Sequence, residues 1–283
     1  MFDIHAILQC PKCRCPLPES LVCPQCGTRY TQGFGVYNLI HMELSGEQEY
    51  LNREELTEDY LAQFLTDEKV SLSTELDDYT SRMNRETLEG FAAQDAYVRK
   101  RLHALQGTVC DLATGGGNML QLVLDEAPTD VTIICTDISN LELAVTRRKR
   151  CPARENVYCI ATDGRYLALQ DSSFDWITSF AGFGNIPDTE KVASELYRVL
   201  KPGGRLLIKG SYIEKDSRSY ALAESIGIAR GMVEEYLLQD LRDAGFAEVQ
   251  STVVAEAVWA ENPYDLIPAA GDLQRFCVIE AVK

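Results

Sequence analysis

From Gly107 onward the chain alternates short, β-rich apolar runs with longer stretches of helical period. The runs are TVCDL, VTIICTD, VYCIA, FDWITSF and GRLLIKGSYI; NMLQLVLDEA, NLELAVTRRKR and TEKVASELYRVL separate them. Each crossover must carry the chain back to the same edge, so this order predicts a doubly wound, mostly parallel α/β sheet with helices on both faces. The pattern then changes. VEEYLLQDLRDAGF reads as a helix with Gly245 placed to stop it. AEVQSTVVAEAVW and RFCVIEAVK read as two strands of a terminal antiparallel hairpin.

Before Gly107 the rhythm is different. Met83, Leu88, Phe91, Tyr97, Val98, Leu102 and Leu105 recur at helical spacing and predict a helix over about 81–105. Residues 43–66 read as an acidic amphipathic helix, with Leu44, Leu51, Leu61 and Leu65 beside Tyr50 and Phe64, and TDEKVSLSTELDD reads as a connector. Residues 1–40 end in TRYTQGFGVYNLI, whose aromatics and glycines suggest a short hairpin. The organisation expected is therefore a small Cys-rich unit at 1–42, a helical lid or linker region at 43–106 and an α/β domain at 107–283. No internal repeat or low-complexity tract interrupts this.

Charge adds a constraint on partners. The 283 residues carry a formal net charge of −16, and residues 43–78, with twelve Asp/Glu and two Lys/Arg, supply −10 of it. Nucleic-acid binding normally shows as a basic surface, so this balance disfavours it without excluding it. The contrary feature is the basic run Arg147-Arg148-Lys149-Arg150 with Arg154, which reads either as phosphate-facing or as a helix end where cations meet the C-terminal dipole. No stretch approaches the roughly 18 apolar residues of a membrane span. The start, MFDIHAILQCPKC, has neither a basic n-region nor a long apolar h-region, so a cytoplasmic location is expected.

The ten cysteines fall into two populations. Cys110, Cys135, Cys151, Cys159 and Cys277 are scattered; Cys110 and Cys135 sit in apolar runs and read as small buried hydrophobes. The other five crowd the first 26 residues. Cys10-Pro-Lys-Cys13 and Cys23-Pro-Gln-Cys26 form two C-x-x-C knuckles, whose four thiolates complete the tetrahedral sulfur set that Zn2+ favours. With all four positions filled by cysteine such a site is closed and structural, a zinc ribbon. A segment this short buries little core of its own, so metal binding is its expected source of folding energy. Cys15 is out of register with both knuckles.

Chemistry points to the loop after the first run. Val109 to Asn118 reads VCDLATGGGN: a strand, a Gly-rich turn that lets the backbone approach a ligand, then a helix. Asp137 ends the second run about twenty residues later, placed to accept hydrogen bonds from ribose hydroxyls. The third run enters Ala161-Thr-Asp163-Gly164, and Glu195-Leu-Tyr-Arg-Val-Leu-Lys-Pro-Gly-Gly204 precedes the fifth.

This series resembles the class I, Rossmann-like S-adenosylmethionine-dependent methyltransferases, over about residues 81–283. The resemblance implies a seven-stranded sheet and a crevice for S-adenosylmethionine. Asp111 and the Gly115, Gly116 and Gly117 backbone would flank the methionine part, Asp137 with Ile138 the ribose, and Asp163 with Gly164 the adenine. Ala113 stands where the family often has a glycine, and a methyl group there would tighten the turn. Phe180, in SFAGFGNI after the fourth run, would line the pocket above the methyl group. Only His5, His41 and His103 are available as histidine bases, and none is assigned a catalytic role.

Three acceptor readings stay open. A methyltransferase acting on a small molecule comes first. The Cys-rich finger, the GVYNL segment and the methyltransferase motifs together also resemble the ribosomal RNA guanine methyltransferases, which implies a finger that assists RNA recognition. A cofactor-binding regulator without turnover is the third.

Overall fold

The structure is a computed structural model, which describes residues 2–46, 52, 56–62, 81–263 and 265–283. Among the described residues nine strands form one sheet: β1 (Thr31–Gly33), β2 (Val36–Asn38), β3 (Thr108–Leu112), β4 (Thr132–Asp137), β5 (Val157–Ala161), β6 (Phe174–Phe180), β7 (Leu200–Ile213), β8 (Ala247–Val258) and β9 (Leu273–Val282). Their order is β1-β2-β5-β4-β3-β6-β7-β9-β8. The helices of eight or more residues are α1 (Arg85–Leu102), α2 (Asn118–Glu126), α3 (Asn140–Arg150), α4 (Thr189–Val199), α5 (Arg218–Ser225) and α6 (Glu234–Asp243). Strands β5, β4, β3, β6 and β7 are parallel, and β9 and β8 add antiparallel at the far edge. These seven are the expected Rossmann-like sheet.

The other two strands come from the N-terminal unit. Its hairpin β1–β2 lays β2 parallel to β5, pairing Val36 with Cys159 and Asn38 with Ala161. The unit is thus part of the main sheet. The Leu39 amide extends the ladder to the Ala161 carbonyl at 2.9 Å, and Gln9 N–H reaches the Ala168 carbonyl at 3.0 Å. Arg14, at the tip of the first knuckle, forms an ion pair at 2.7 Å with Glu195 of α4, which Arg198 also grips.

The core has two main halves, one on each face of the sheet. On one face α1, α2 and α3 bury Val98, Leu102, Leu120, Val123 and Leu143. On the other, Leu196 of α4 and Leu241 of α6 share a single apolar cluster with Leu8, Leu17 and Leu39 of the N-terminal unit. Helix α1 is fixed across the β7–β9 seam by Gln94, whose amide donates to the Gly210 and Cys277 carbonyls, each at 2.7 Å.

Two expectations are corrected. Residues 43–66 are not one helix: the turn Met42–Ser45 ends at Gly46 (φ +77°), Asn52, Leu56 and Thr57 are not helical, and a second turn occupies 58–62. Leucine spacing suggested continuity that a left-handed glycine breaks. The predicted helix over 81–105 is shortened, because Asn84 caps it by accepting from Thr87 N–H at 2.8 Å. Helix α5 and the turn Ala229–Met232 had no counterpart in the sequence reading. The rest of the 43–80 stretch, including the connector, lies outside the described residues. Among the described residues no helix is long and apolar enough to cross a membrane.

Candidate active site

Strand β3 stops at Leu112, and the chain turns through Ala113 (φ +49°), Gly115 (φ +48°) and Gly117 (φ +79°) before entering α2. A left-handed conformation costs a non-glycine residue about 1–2 kcal/mol. Ala113 bears it in a turn that Gly182 makes room for, since a Cβ on Gly182 would lie 2.4 Å from the Ala113 methyl. The departure from glycine at 113 is thus met by a glycine across the loop. At Gly115 and Gly116 an added Cβ would meet nothing within 4 Å, so the bare backbone faces open space.

The loop is held from beneath by α3 and β4. Thr114 N–H donates to the Thr136 carbonyl at 2.8 Å, Thr146 Oγ1 to the Gly115 carbonyl at 2.7 Å and Arg150 Nε to the Gly116 carbonyl at 3.2 Å. Asp137 closes the frame. Its Oδ2 accepts from Gly115 N–H and its Oδ1 from Ser139 N–H, both at 2.9 Å. Burial pushes its carboxyl up from the usual range, and the backbone donors oppose that shift. The carboxylate is therefore fixed in place, with lone pairs left for a diol.

A crevice of about 510 Å3 opens at the C-terminal ends of β3, β4, β5 and β6. Ala113, Gly115 and Gly116 line it on one side, and Asp137 with Ile138 on the next. Asp163, Gly164 and Phe180 complete the expected set on its wall. Two expected residues are elsewhere. Gly117 caps α2 with its α-carbon turned against Thr146. Asp111 is fully buried under the loop, where Thr178 Oγ1 donates to its Oδ1 at 2.9 Å and its Oδ2 has no partner. Burial raises its carboxyl to about 7.

Asn185 and Ile186, at the end of SFAGFGNI, also lie on the crevice wall; the sequence reading missed Arg165 and Pro187, which lie there too. Arg165 grips Asp163 through Nε at 3.0 Å and a terminal nitrogen at 2.6 Å, and it also donates to the Ser45 carbonyl at 3.0 Å. Its place two residues after Asp163 was the available signal. Both oxygens of Asp163 are thus already engaged by a cation.

In the N-terminal unit the Sγ atoms of Cys10, Cys13, Cys23 and Cys26 all lie within 4.8 Å of one another. Cys10 and Cys26 are 3.7 Å apart and Cys13 and Cys23 3.3 Å. A tetrahedral set with Zn–S bonds of about 2.3 Å has edges of roughly 3.8 Å, so the four sulfurs fit that group. Cys15 Sγ is also close, 3.5 Å from Cys23 Sγ.

An open parallel sheet with a glycine loop, a fixed acid and a crevice at the strand ends defines a nucleotide-cofactor protein of the doubly wound class. Comparison with known proteins narrows this. Residues 110–208 match the methyltransferase domain family. The ubiquinone/menaquinone biosynthesis C-methyltransferase of Klebsiella pneumoniae is 31% identical over 170 residues, which cover 50% of this chain and 67% of that protein. The demethylmenaquinone methyltransferase of Thermus thermophilus is 38% identical over 100 residues, 35% of this chain, and the match spans only 45% of that relative. Phosphoethanolamine N-methyltransferase 2 of Haemonchus contortus, solved with S-adenosyl-L-methionine, aligns with a TM-score of 0.53 at 20% identity. That alignment covers 67% of this chain and 52% of that one, a likeness of fold. The chain belongs to the class I S-adenosylmethionine-dependent methyltransferases.

Proposed function

We propose that the protein transfers a methyl group from S-adenosylmethionine to a small-molecule acceptor. The observation that carries the reading is the frame of Gly115, Gly116 and Asp137. Two glycines leave room for close backbone approach, and a carboxylate fixed by two amides is aimed at the crevice. In this reading Asp137 accepts from the ribose hydroxyls, Ile138 packs on the adenosine, and the Gly115–Gly116 backbone borders the methionine part. The Asp163–Arg165 pair sits at the adenine end, where the arginine also sets the carboxylate's orientation. Asp111 acts from below, supporting the loop. The cofactor supplies an electrophilic methyl on a sulfonium, a strong leaving group; the protein's task is to align the acceptor and exclude water.

The small-molecule reading is favoured over RNA by the fate of the basic run. Arg147 donates to the Val157 carbonyl at 2.6 Å and lies against Gly35, Arg148 pairs with Glu58 at 2.6 Å, and Arg150 holds the Gly116 carbonyl. Arg147, Arg148 and Arg150 are thus engaged by the protein's own backbone and acids. The quinone C-methyltransferases named above act in the same direction. We also propose that the four clustered cysteines, none of which lines the crevice, hold one structural Zn2+.

The test is transfer of labelled methyl groups from S-adenosylmethionine into separated metabolite, protein and RNA pools. Label in the metabolite pool is the expected result. Label in RNA would reverse the acceptor assignment, and cofactor binding without label in any pool would favour a regulator.

A further inference from the structure

A second cavity, of about 300 Å3, adjoins the cofactor crevice and shares Phe180 and Asn185 with it. A volume of this size is at the small end of ligand pockets, roughly 300–1,000 Å3. Its remaining walls come from four separate elements: Phe91 of α1, Tyr212 of β7, Met232, and Trp259 just past β8. Phe91 stacks edge-on against Phe276 at 5.0 Å, and α1 approaches that closely because position 90 is glycine, where a Cβ would lie 2.7 Å from the Phe276 ring. The floor is similarly close. Gly184 and Gly231 face each other backbone to backbone, and a Cβ on Gly231 would lie 1.8 Å from the Gly184 carbonyl oxygen. Substitution-intolerant contacts on two sides keep the cavity's shape fixed.

Its chemistry is sharply defined. Among the described lining residues there is one charged side chain, Asp265, and no Lys or Arg. Trp259 Nε1–H donates to Asp265 Oδ2 at 2.9 Å and holds the carboxylate on the cavity wall. A phosphorylated or carboxylated acceptor would find no counter-charge here, and burying an anion unpaired is costly. A hydroxylated ring meets no such objection: aromatic walls match its faces, and the Asp265 carboxylate can accept from its hydroxyl.

We propose that this chamber is the methyl-acceptor site and that it takes a hydroxylated aromatic ring free of anionic groups, whose hydroxyl donates to Asp265. The proposal rests on the cofactor reading given above. Asp265 orients the acceptor, Trp259 positions Asp265, and Phe180 and Asn185 mark the passage to the methyl group.

Calorimetry separates the two layers. S-adenosylhomocysteine is titrated first, and absence of binding would remove the cofactor reading and the acceptor site with it. With the protein then saturated, 2-naphthol serves as a redox-inert hydroxylated ring and 2-naphthoate as its anionic counterpart. We expect 2-naphthol to bind and the carboxylate to bind at least tenfold more weakly. Asp265→Asn should weaken 2-naphthol about tenfold or more, the effect of a hydrogen bond to a charged group, while S-adenosylhomocysteine affinity stays within about twofold. Met232→Trp, which fills the chamber, should abolish 2-naphthol binding with the same unchanged nucleoside affinity. The proposal is overturned if loaded protein ignores 2-naphthol, if 2-naphthoate binds as well or better, or if neither substitution alters binding.

Discussion

Asp111→Asn should flatten the pH dependence of stability by an amount that follows from burial. The Asp111 carboxyl is fully buried, its Oδ2 has no hydrogen-bond partner, and burial raises it to about 7 from the ordinary 3.8. The folded chain therefore holds this proton more tightly than the unfolded chain. Folding takes up a proton between about pH 4 and pH 7, and stability falls as pH rises through that window and then levels. A shift of about three units, at 1.36 kcal/mol per unit, corresponds to a penalty of about 4 kcal/mol above pH 7. Of this, about 2 kcal/mol develops between roughly pH 5.5 and pH 8, most of it below pH 7. Asparagine does not titrate, so its variant lacks that slope whatever constant offset the amide introduces. Urea unfolding of both proteins at fixed ionic strength measures it. The stability of Asp111→Asn relative to the parent should climb by about 2 kcal/mol across that range; a difference that stays flat with pH would refute the assignment of a raised, buried carboxyl.

Three further outcomes are expected. Asp137→Ala removes the acceptor fixed by Gly115 and Ser139, so S-adenosylmethionine affinity should fall at least about tenfold; unchanged affinity by calorimetry would mean the crevice is bound some other way. Elemental analysis of protein purified without added metal should find about one zinc per chain, and a strong chelator should lower the melting temperature of the whole molecule, because the Cys-rich unit shares its core with α4 and α6. Metal-free protein with unaltered melting would contradict the structural zinc. Titration with ribosomal RNA at low salt should show no tight, salt-steep binding, given the engaged arginines of α3; such binding would restore the RNA reading.

The parts of the fold legible in the sequence were those with local periodicity. The five parallel strands and the helices α2, α3, α4 and α6 each carry their own pattern, and the glycine loop and Asp137 stand at fixed spacing within it. The two C-x-x-C knuckles were equally legible, because metal geometry constrains neighbours in the chain. What escaped was non-local. Val36-Tyr37-Asn38 contains nothing that names β5 as its partner. The Asp163–Arg165 clamp needed a rotamer, and the chamber needed α1, β7 and the loop after β8 brought together. Along 43–66 the leucine spacing outweighed Gly46 in the reading, whereas in the structure the glycine decides.

The pairing of β2 with β5 has a consequence for how the chain is made. The two strands are separated by about 120 residues of sequence. A ribosome adding about 5–20 residues per second needs roughly 6 to 24 s to supply that much chain. Throughout this interval the hairpin has no sheet to join, and Leu8, Leu17 and Leu39 have no apolar surface to cover them. An unpaired strand edge invites pairing with other chains. The N-terminal unit therefore emerges before its partner strand and is among the last to be anchored, and the long loop it closes around β3 and β4 makes this join a slow, late step of folding.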